Sequence, residues 1–389
     1  MSIIDHVRQY HDELTAIRRD IHAHPELGME EERTSALVAE KLKSWGLEVH
    51  RDIGKTGVVG TLRVGNNPRS IGLRADMDAL PIIEANDVDY RSTYDGKMHA
   101  CGHDGHTAML LGAARYLAET KNFEGCVHFI FQPAEEGLGG ALAMVEDGLF
   151  ERFPCDTVFG MHNHPGLPAG EFGIRPGPMM AGGALFDVKI SGRGSHGARP
   201  EGSIDPITVA AHIVSACQTI VSRNISARDT AVLSVTQIHA GDAYNVIPEE
   251  ARLMGTARAF SSETMKKIED TLRRTVEGVA SGLGAKAELD FRFTFAPLVN
   301  NPEETEFAAD CAASLVGDEK VERDFHQMMG SEDFSFMLEK SPGAYIRIGN
   351  GKESGPVHNP EYDFNDEIIP FGVAFWGELV ENKLAKQDS

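Results

Sequence analysis

Residues 107–133 read TAMLLGAARYLAETKNFEGCVHFIFQP, which places a helix directly before an apolar strand. Over residues 107–120 the apolar side chains recur at helical spacing, as at Ala108 and Leu111. Residues 127–131 form a compact apolar run that ends at polar residues, which is typical of a buried strand. A helix followed by such a strand predicts an α/β sheet, in which functional groups collect where the strands end.

The flanking segments continue this alternation of helices and strands. Two helical patterns occupy residues 6–46 and are separated by His22-Ala-His-Pro25. Strand patterns cover residues 58–64 and 70–74, and a final helix is predicted over residues 371–384.

A second pattern interrupts the first. Its elements follow the order β-α-β-β-α-β, which is that of a small ferredoxin-like domain. The predicted strands cover residues 184–190, 231–238, 251–260 and 287–295, and the predicted helices cover residues 205–221 and 263–280. We therefore predict a discontinuous first domain, residues 1–182 and 298–389, into which a satellite domain of residues 183–297 is inserted.

Size and charge agree with two domains and exclude several partners. The chain has 389 residues, whereas single hydrophobic cores stop growing at about 250–300 residues. With 37 basic and 59 acidic side chains, its formal charge is −22. Such a charge argues against nucleic acids and anionic membrane surfaces, which both attract clustered Lys and Arg.

The cysteines and the apolar runs of the chain predict the cellular compartment of the protein. The five cysteines are an odd number without a tight framework, which indicates a reducing compartment rather than a disulfide scaffold. Residues 1–14 lack the uninterrupted apolar stretch of a signal peptide, and no run approaches the roughly 20 residues that span a bilayer. We expect a cytoplasmic protein.

The densest group of metal-ligating residue types is His99-Ala-Cys-Gly-His-Asp-Gly-His106. Thiolate and imidazole are good ligands for zinc and the later first-row metals. Cys101 and His103 would project to the same side of an extended loop before the helix, as two ligands of one site require. A polar loop with a buried thiol is the alternative, and it needs no metal.

Two adjacent carboxylates, Glu135 and Glu136, follow the apolar strand. Because neighbouring carboxylates repel each other, keeping both ionised at a strand end is costly unless a cation lies near. With a metal present, one carboxylate can coordinate it while the other takes a proton from the reacting water. An ordinary solvated turn is the alternative.

Two further histidines follow other element ends, His162 in Gly-Met-His-Asn-His164 and His358 in Val-His-Asn-Pro. A lone His-Asn-Pro is more often a turn than a ligand set. Five donors that one sheet could bring together exceed the number used by one tetrahedral site, and they suit a pair of metals. These donors are Cys101, His103, Glu136, His162 and His358.

The satellite segment contains three further candidate residues. His196 lies in the Gly-rich sequence Gly-Arg-Gly-Ser-His-Gly, where glycines permit close approach of a ligand. It could serve catalysis only if this domain closed over the metal cluster, and a surface histidine is the alternative. Sequence spacing likewise does not decide whether Asn245 and Arg258 are functional or structural residues.

Together these segments resemble the metal-dependent aminoacylase and carboxypeptidase family. The similarity is to its amidohydrolase subgroup, which contains hippurate hydrolases, N-acyl-amino-acid deacetylases and indole-3-acetyl-amino-acid hydrolases, and it runs almost end to end. The matching segments are RRDIHAHPEL from Arg18, LRADMDALP from Leu73, HACGHDGH from His99, FQPAEEG from Phe131, GRGSH from Gly192, NVIP from Asn245, GSEDF from Gly330 and VHNP from Val357.

The resemblance implies a mixed-sheet α/β hydrolase domain that holds two divalent metals, with an inserted ferredoxin-like domain for dimerisation and as a lid. It makes Glu135 the general base and acid. Asp76 stands where related peptidases place a ligand histidine, so Asp76 and Asp78 are expected to orient ligands, with Asp78 counted among the catalytic residues. His164 and Asp76 remain alternative ligands. The implied metal ligands are Cys101, His103, Glu136, His162 and His358.

The resemblance also assigns roles to the satellite residues. His196 is expected to reach the active site of the partner subunit, because the satellite domain forms the dimer in this family. Asn245 and Arg258 match positions near the substrate carboxylate.

The implied reaction is hydrolysis of the amide bond of N-acyl-L-amino acids, hippurate-like or N-acetyl, to a carboxylic acid and a free amino acid. The expected cofactors are two divalent ions of zinc, manganese, cobalt or nickel per subunit. The expected partners are the small-molecule substrate and further copies of the chain, as a homodimer or higher homo-oligomer. A dipeptidase or aminopeptidase on the same fold, or a non-catalytic binding relative, remains an alternative.

Overall fold

The computed structural model describes residues 2–386, and the chain separates into two units. The first unit comprises the chain up to Met179, Val299–His326 and the chain from Asp333 onward. The second comprises Met180–Leu298 and Gln327–Glu332. No helix within residues 2–386 is long and apolar enough to cross a membrane.

The helices and strands follow one another in the order that the sequence patterns predict, with further short elements between them. The helices are α1 (Ile3–Val7), α2 (His11–Ala23), α3 (Glu32–Ser44), α4 (His103–Thr120), α5 (Gly140–Glu146), α6 (Leu149–Arg152), α7 (Pro206–Asn224), α8 (Ser262–Gly282), α9 (Pro302–Val316), α10 (Ser335–Leu338) and α11 (Ile369–Lys383). The strands are β1 (Glu48–Ile53), β2 (Gly57–Val64), β3 (Ser70–Asp76), β4 (Gly125–Gln132), β5 (Thr157–Pro165), β6 (Phe172–Gly173), β7 (Gly177–Met180), β8 (Gly182–Ser191), β9 (Ser195–His196), β10 (Ala231–Ala240), β11 (Val246–Ile247), β12 (Glu250–Ala259), β13 (Lys286–Phe295), β14 (Leu298–Asn300), β15 (Val321–Glu322) and β16 (Gly343–Gly351).

An eight-stranded sheet forms the centre of the first unit, in the order β1-β2-β4-β3-β5-β16-β6-β15. Strands β4, β3, β5 and β16 run parallel, whereas β1, β2 and β4 pair antiparallel. The predicted mixed-sheet α/β class is therefore confirmed. Strands β3 and β4 are buried along their whole length, as is typical of central strands in a parallel sheet that is covered on both faces.

Helix α4 supports the sheet and packs against α2, α11 and β3. It is rich in small and apolar residues, and most of its residues are buried. The prediction that the helix begins at Thr107 was wrong, because α4 begins at His103. Gly102 allows this early start, since its left-handed backbone (φ 95°) turns the chain sharply into the helix.

The second unit contains a four-stranded antiparallel sheet in the order β10-β12-β8-β13. Along the chain its strands and helices follow the order β8-α7-β10-β12-α8-β13, and α7 packs against α8. Asp205 and Ser261 begin the two helices, because each side chain accepts a hydrogen bond from a backbone N–H of the first turn. The apolar sides of helices and sheet enclose a separate core.

Candidate metal centre

A group of polar side chains lies at the carboxyl ends of the parallel strands of the first unit. Asp76 ends β3, His162 lies near the end of β5, and Glu135 and Glu136 follow β4 by three and four residues. Because parallel neighbours end at the same edge of a sheet, these groups gather there.

Cys101 and His103 join this edge from the turn that opens α4. The prediction that both lie on an extended segment was wrong: Cys101 precedes the left-handed Gly102, and His103 is the first residue of the helix. A sharp turn, and not the side-chain alternation of a strand, therefore brings the thiol and the imidazole together.

All five predicted metal ligands lie in one cluster within the first unit. Their donor atoms form overlapping groups in which every atom lies within 4.8 Å of the others. The groups are Cys101 with His103 and His162, Cys101 with Glu136 and His358, and His103 with Glu135 and Glu136.

The individual distances are short. His162 Nε2 lies 3.4 Å from Cys101 Sγ, and His358 Nε2 lies 3.0 Å from Glu136 Oε1. His358 has an unusual positive φ of 62°, and its backbone N–H donates to the carbonyl of Ala100 at 2.7 Å. This contact holds the 358 turn beside the Cys101 turn.

The tautomer of two histidines follows from their neighbours. Nδ1 of His162 lies 2.7 Å from the carbonyl oxygen of Asn163, and Nδ1 of His103 lies 2.9 Å from that of Asp78. A carbonyl only accepts, so both rings carry their proton on Nδ1 and direct the Nε2 lone pair into the cluster. Within residues 2–386, the buried Nε2 of His103 has no hydrogen-bond partner.

The charges of the cluster favour a cation. Burial and the negative charge of Glu136 raise the pKa of the Cys101 thiol, while burial and Arg347 lower the pKa of His162. Hydrogen bonds to Cys101 and Glu136 raise the pKa of His358 to about 10, so without a metal its imidazole keeps a second proton near neutral pH. A divalent metal would replace that proton and offset the cost of a buried thiolate.

Asp78 connects two of the proposed ligands. Its Oδ1 lies 3.1 Å from Nδ1 of His103, and its Oδ2 accepts a hydrogen bond from the backbone N–H of Glu136 at 2.9 Å. The side chain is 2% exposed, so it is shielded from competing water. A buried carboxylate with contacts to two proposed ligands can fix their orientation.

Asp76 is held by partners that the sequence did not predict. Its Oδ2 accepts from Nη1 of Arg74 at 2.6 Å, and its Oδ1 lies 2.6 Å from Nδ1 of His106. Nε of Arg74 donates to Gln132, and its Nη2 donates to Asp333 at 3.2 Å. Burial would raise the pKa of Asp76, but His103, Arg74 and His106 hold it well below its usual range. The sequence does carry one signal for these contacts, which is Arg74 inside the run 70–76, because a charge buried in a strand needs a partner.

His106 and His164 differ from the predicted ligands in their contacts. His106 shares a donor group with Asp76 and His103, but both of its ring nitrogens already have partners. The ring of His106 lies between Asp76 and Asn163, and its Nε2 accepts from the backbone N–H of Asn163 at 3.0 Å. His164 lies 5.1 Å from the ring of Phe325, and it belongs to none of the donor groups found among residues 2–386. The structure therefore brings His162, not His164, to Cys101.

Three predicted residues lie in the second unit. His196 is exposed in β9, next to the backbone of Asn245, whose carbonyl accepts from the N–H of Gly197 at 2.7 Å. Arg258 is half-buried near the end of β12, where its Nη1 donates to Thr256 at 2.6 Å. Strand β9, which carries His196, adjoins the end of β12 at Glu250. Arg258 lies eight residues further along β12, so roughly 27 Å of strand separates it from His196.

The donor set fits divalent metals. Thiolate, imidazole and carboxylate suit zinc and its first-row neighbours. Nε2 of His103, which makes no hydrogen bond to any described residue and lies 3.8 Å from Asp76 Oδ2, is grouped with the other donors. Residues 72–382 match the model of the peptidase family M20/M25/M40. The chain belongs to this family. The predicted resemblance and the prediction of a hydrolytic enzyme are thereby confirmed.

Relatives cover nearly the whole chain. It is 42% identical over 379 residues to the hippurate hydrolase of Campylobacter jejuni, covering 97% of this chain and 98% of the relative. It is 39% identical to the N-acetylcysteine deacetylase of Bacillus subtilis, covering 96% and 97%. A solved dinuclear metal-binding M20 peptidase from Bacillus subtilis superposes with a TM-score of 0.86 at 34% identity, covering 97% of this chain and 99% of that one.

Proposed function

We propose that this family member hydrolyses the amide bond of N-acyl-L-amino acids and releases a carboxylic acid and an amino acid. The convergence of five donor side chains with Glu135 in one unit carries this proposal. The relatives named hippurate hydrolase and N-acetylcysteine deacetylase support the substrate class.

The proposed ligands of two divalent metals are Cys101, His103, Glu136, His162 and His358. Bound metals would acidify the attacking water and polarise the amide carbonyl. The mixed thiolate, imidazole and carboxylate set accommodates zinc, manganese, cobalt or nickel. The solved M20 relative that is described as dinuclear supports the metal count.

Glu135 is the proposed general base and acid. It is 7% exposed and lies beside His103 and Glu136, while Glu136 is the carboxylate that also contacts His358. This difference supports a division of roles, with Glu136 as ligand and Glu135 as proton carrier. Glu135 takes a proton from water as the C–O bond forms and returns it to the leaving amine nitrogen as the C–N bond breaks.

His196, Asn245 and Arg258 are the proposed substrate-binding and oxyanion-stabilising residues. A separation of roughly 27 Å along β12 keeps His196 and Arg258 of one chain from sharing one small substrate. Their joint action therefore requires two copies, with residues 183–297 as the dimerising satellite domain. A homodimer would place His196 of one chain at the metal centre of the other.

The proposed partners are thus a small N-acyl amino acid and a second copy of the chain, with no nucleic acid or membrane. The net charge of −22 supports this exclusion. We place the protein in the cytoplasm, because its five cysteines, four of them buried, are free thiols.

A substrate panel tests the reaction. Benzoyl-, acetyl- and indole-acetyl-amino acids should be turned over and free dipeptides should not, and a chelator should abolish turnover until zinc, manganese, cobalt or nickel is restored. Preference for dipeptides would instead indicate a peptidase on the same fold. Binding without turnover under every metal would indicate a non-catalytic relative.

Subunit mixing tests the shared site. Neither H196A nor E135Q homodimers should be active, but mixed dimers should recover activity, because one of the two sites then has both residues intact. No recovery after verified subunit exchange would contradict a site shared between subunits.

A further inference from the structure

The turn that carries Glu135 has a strained backbone. Ala134 links Pro133 to Glu135 and adopts φ 51°, in the left-handed region that residues with a Cβ rarely occupy. Ala134 is completely buried. Contacts from the surrounding structure must therefore hold this conformation, since an alanine would otherwise favour negative φ.

Two hydrogen bonds hold Ala134: its carbonyl accepts from the backbone N–H of Gly140 at 3.0 Å, and its own N–H donates to Glu31, which lies just before α3. Oε1 of Glu31 accepts a hydrogen bond from the backbone N–H of Ala134 at 2.8 Å. Oε2 accepts from the hydroxyl of Thr56 at 2.6 Å, so both oxygens of the carboxylate are engaged. The side chain of Glu31 is fully buried, although no predicted function involves it.

The segment that holds Glu31 is itself fixed against the sheet edge. The carbonyl of Glu26 accepts from the N–H of Ala79 at 2.8 Å, and the Glu26 carboxylate accepts from two N–H groups at the start of α3. Gly28 packs closely against Ala134, since a Cβ atom added at Gly28 would lie only 3.0 Å from the Cα atom of Ala134. Glu31 therefore acts from a rigid support.

Two carboxylates thus accept hydrogen bonds from the backbone N–H groups of the residues immediately before and after Glu135. Glu31 accepts from the N–H of Ala134, and Asp78 accepts from the N–H of Glu136. We propose that Glu31 is a positioning residue, which fixes the left-handed turn at Ala134 and thereby aims the Glu135 carboxylate at the reacting water. This inference rests on the proposed role of Glu135.

Glu31→Ala tests the inference. Its kcat on an N-acyl amino acid should fall about 100-fold, because misplacing a catalytic group by about 1 Å costs that much. Bound metal should remain, since Asp78 still holds Glu136. Glu31→Gln should keep most of the activity, because its amide oxygen can accept from Ala134 while its NH2 faces Thr56. Glu304→Ala is the matched control, as Glu304 is a buried carboxylate that contacts Lys383 instead.

A second variant isolates the backbone effect. Glycine adopts positive φ without strain, so the loss caused by E31A should be smaller in the A134G background than in the wild type. If E31A does not fold, Thr56→Val removes one partner of Glu31 and should lower kcat by a smaller factor.

Hydrogen–deuterium exchange provides a readout that needs no substrate. The Ala134 amide should exchange faster in E31A, or in T56V, than in E304A. If the wild type turned over no N-acyl amino acid, the proposed function would fail while exchange still tested the Glu31 contact. The inference is overturned if folded E31A keeps kcat within about twofold, if E31Q loses as much as E31A, or if A134G leaves the loss unchanged.

Discussion

Asp78→Asn should weaken metal binding although Asp78 is not itself a proposed ligand. The Asp78 carboxylate contacts Nδ1 of His103 at 3.1 Å and the backbone N–H of Glu136 at 2.9 Å. Asparagine has one acceptor oxygen, so its NH2 group would face one of these two donors. One buried hydrogen bond is then lost and replaced by a contact between donors.

The magnitude follows from the two contacts. A hydrogen bond to a charged group contributes about 1.5–3 kcal/mol, which corresponds to roughly 10- to 150-fold in a binding constant. The backbone carbonyl of Asp78 also accepts from His103 Nδ1, at 2.9 Å, and it is unchanged in the variant. We therefore expect a loss near the lower limit, about tenfold per bound metal, in the usual range for residues that orient ligands.

The assay is competition with a chromophoric chelator, using the metal-free protein and zinc at fixed pH. Asp87→Asn is the matched control, since it removes one carboxylate charge from an exposed site in the following segment. D87N should bind metal like the wild type. If D78N binds within about twofold of D87N, the contacts of Asp78 do not orient the ligands and the reasoning is refuted.

Three further variants have distinct expected outcomes. Glu135→Gln should lower kcat at least about 100-fold with bound metal unchanged, because general acid–base catalysis contributes roughly 10²–10⁴-fold; an active metal-loaded variant would exclude Glu135 as the base. Cys101→Ser should lose metal as well as rate, because a hydroxyl is a poor ligand at neutral pH, and full metal content by elemental analysis would contradict this. Burial lowers the pKa of His22, but its hydrogen bonds to Asp104 and Glu84 outweigh this and raise the pKa from 6.5 to about 9. The stabilisation by His22 is thus complete below pH 6.5 and is lost as the pH rises through 9. Between these values the free energy of unfolding should fall by about 3 kcal/mol more in the wild type than in His22→Gln, and parallel urea midpoints would contradict this.

The residues of the donor cluster could be found from the sequence because strand periodicity and residue chemistry are local. The apolar run 127–131 predicted a strand, and the carboxylates after it predicted a site at its end. In contrast, the geometry proposed for Cys101 and His103 was wrong, although the two residues do meet. Alternation applies to strands, whereas the left-handed Gly102 and the early start of α4 bring these residues together.

The supporting residues could not be predicted, because their contacts join distant parts of the chain. Arg74 and Asp333 are 259 positions apart, and Glu31 and Ala134 are 103 positions apart. Arg74 does stand out in an apolar run, but nothing local shows which carboxylate neutralises it. Glu31 lies between Glu30 and Glu32, which are both exposed, so nothing in the local sequence marks it as the buried one.

By itself, the sequence determined the types of donor, their order along the chain and the strand ends that carry them, because side-chain chemistry and hydrophobic period are properties of short segments. Only the tertiary structure decided which histidine joins Cys101, which ring nitrogen of His103 is left for a metal, and how the turn at Ala134 is held. These features depend on hydrogen bonds between groups that folding alone brings within about 3 Å. The helix and strand of residues 107–133 thus predicted where a site would form, and contacts from the rest of the first unit determine its geometry.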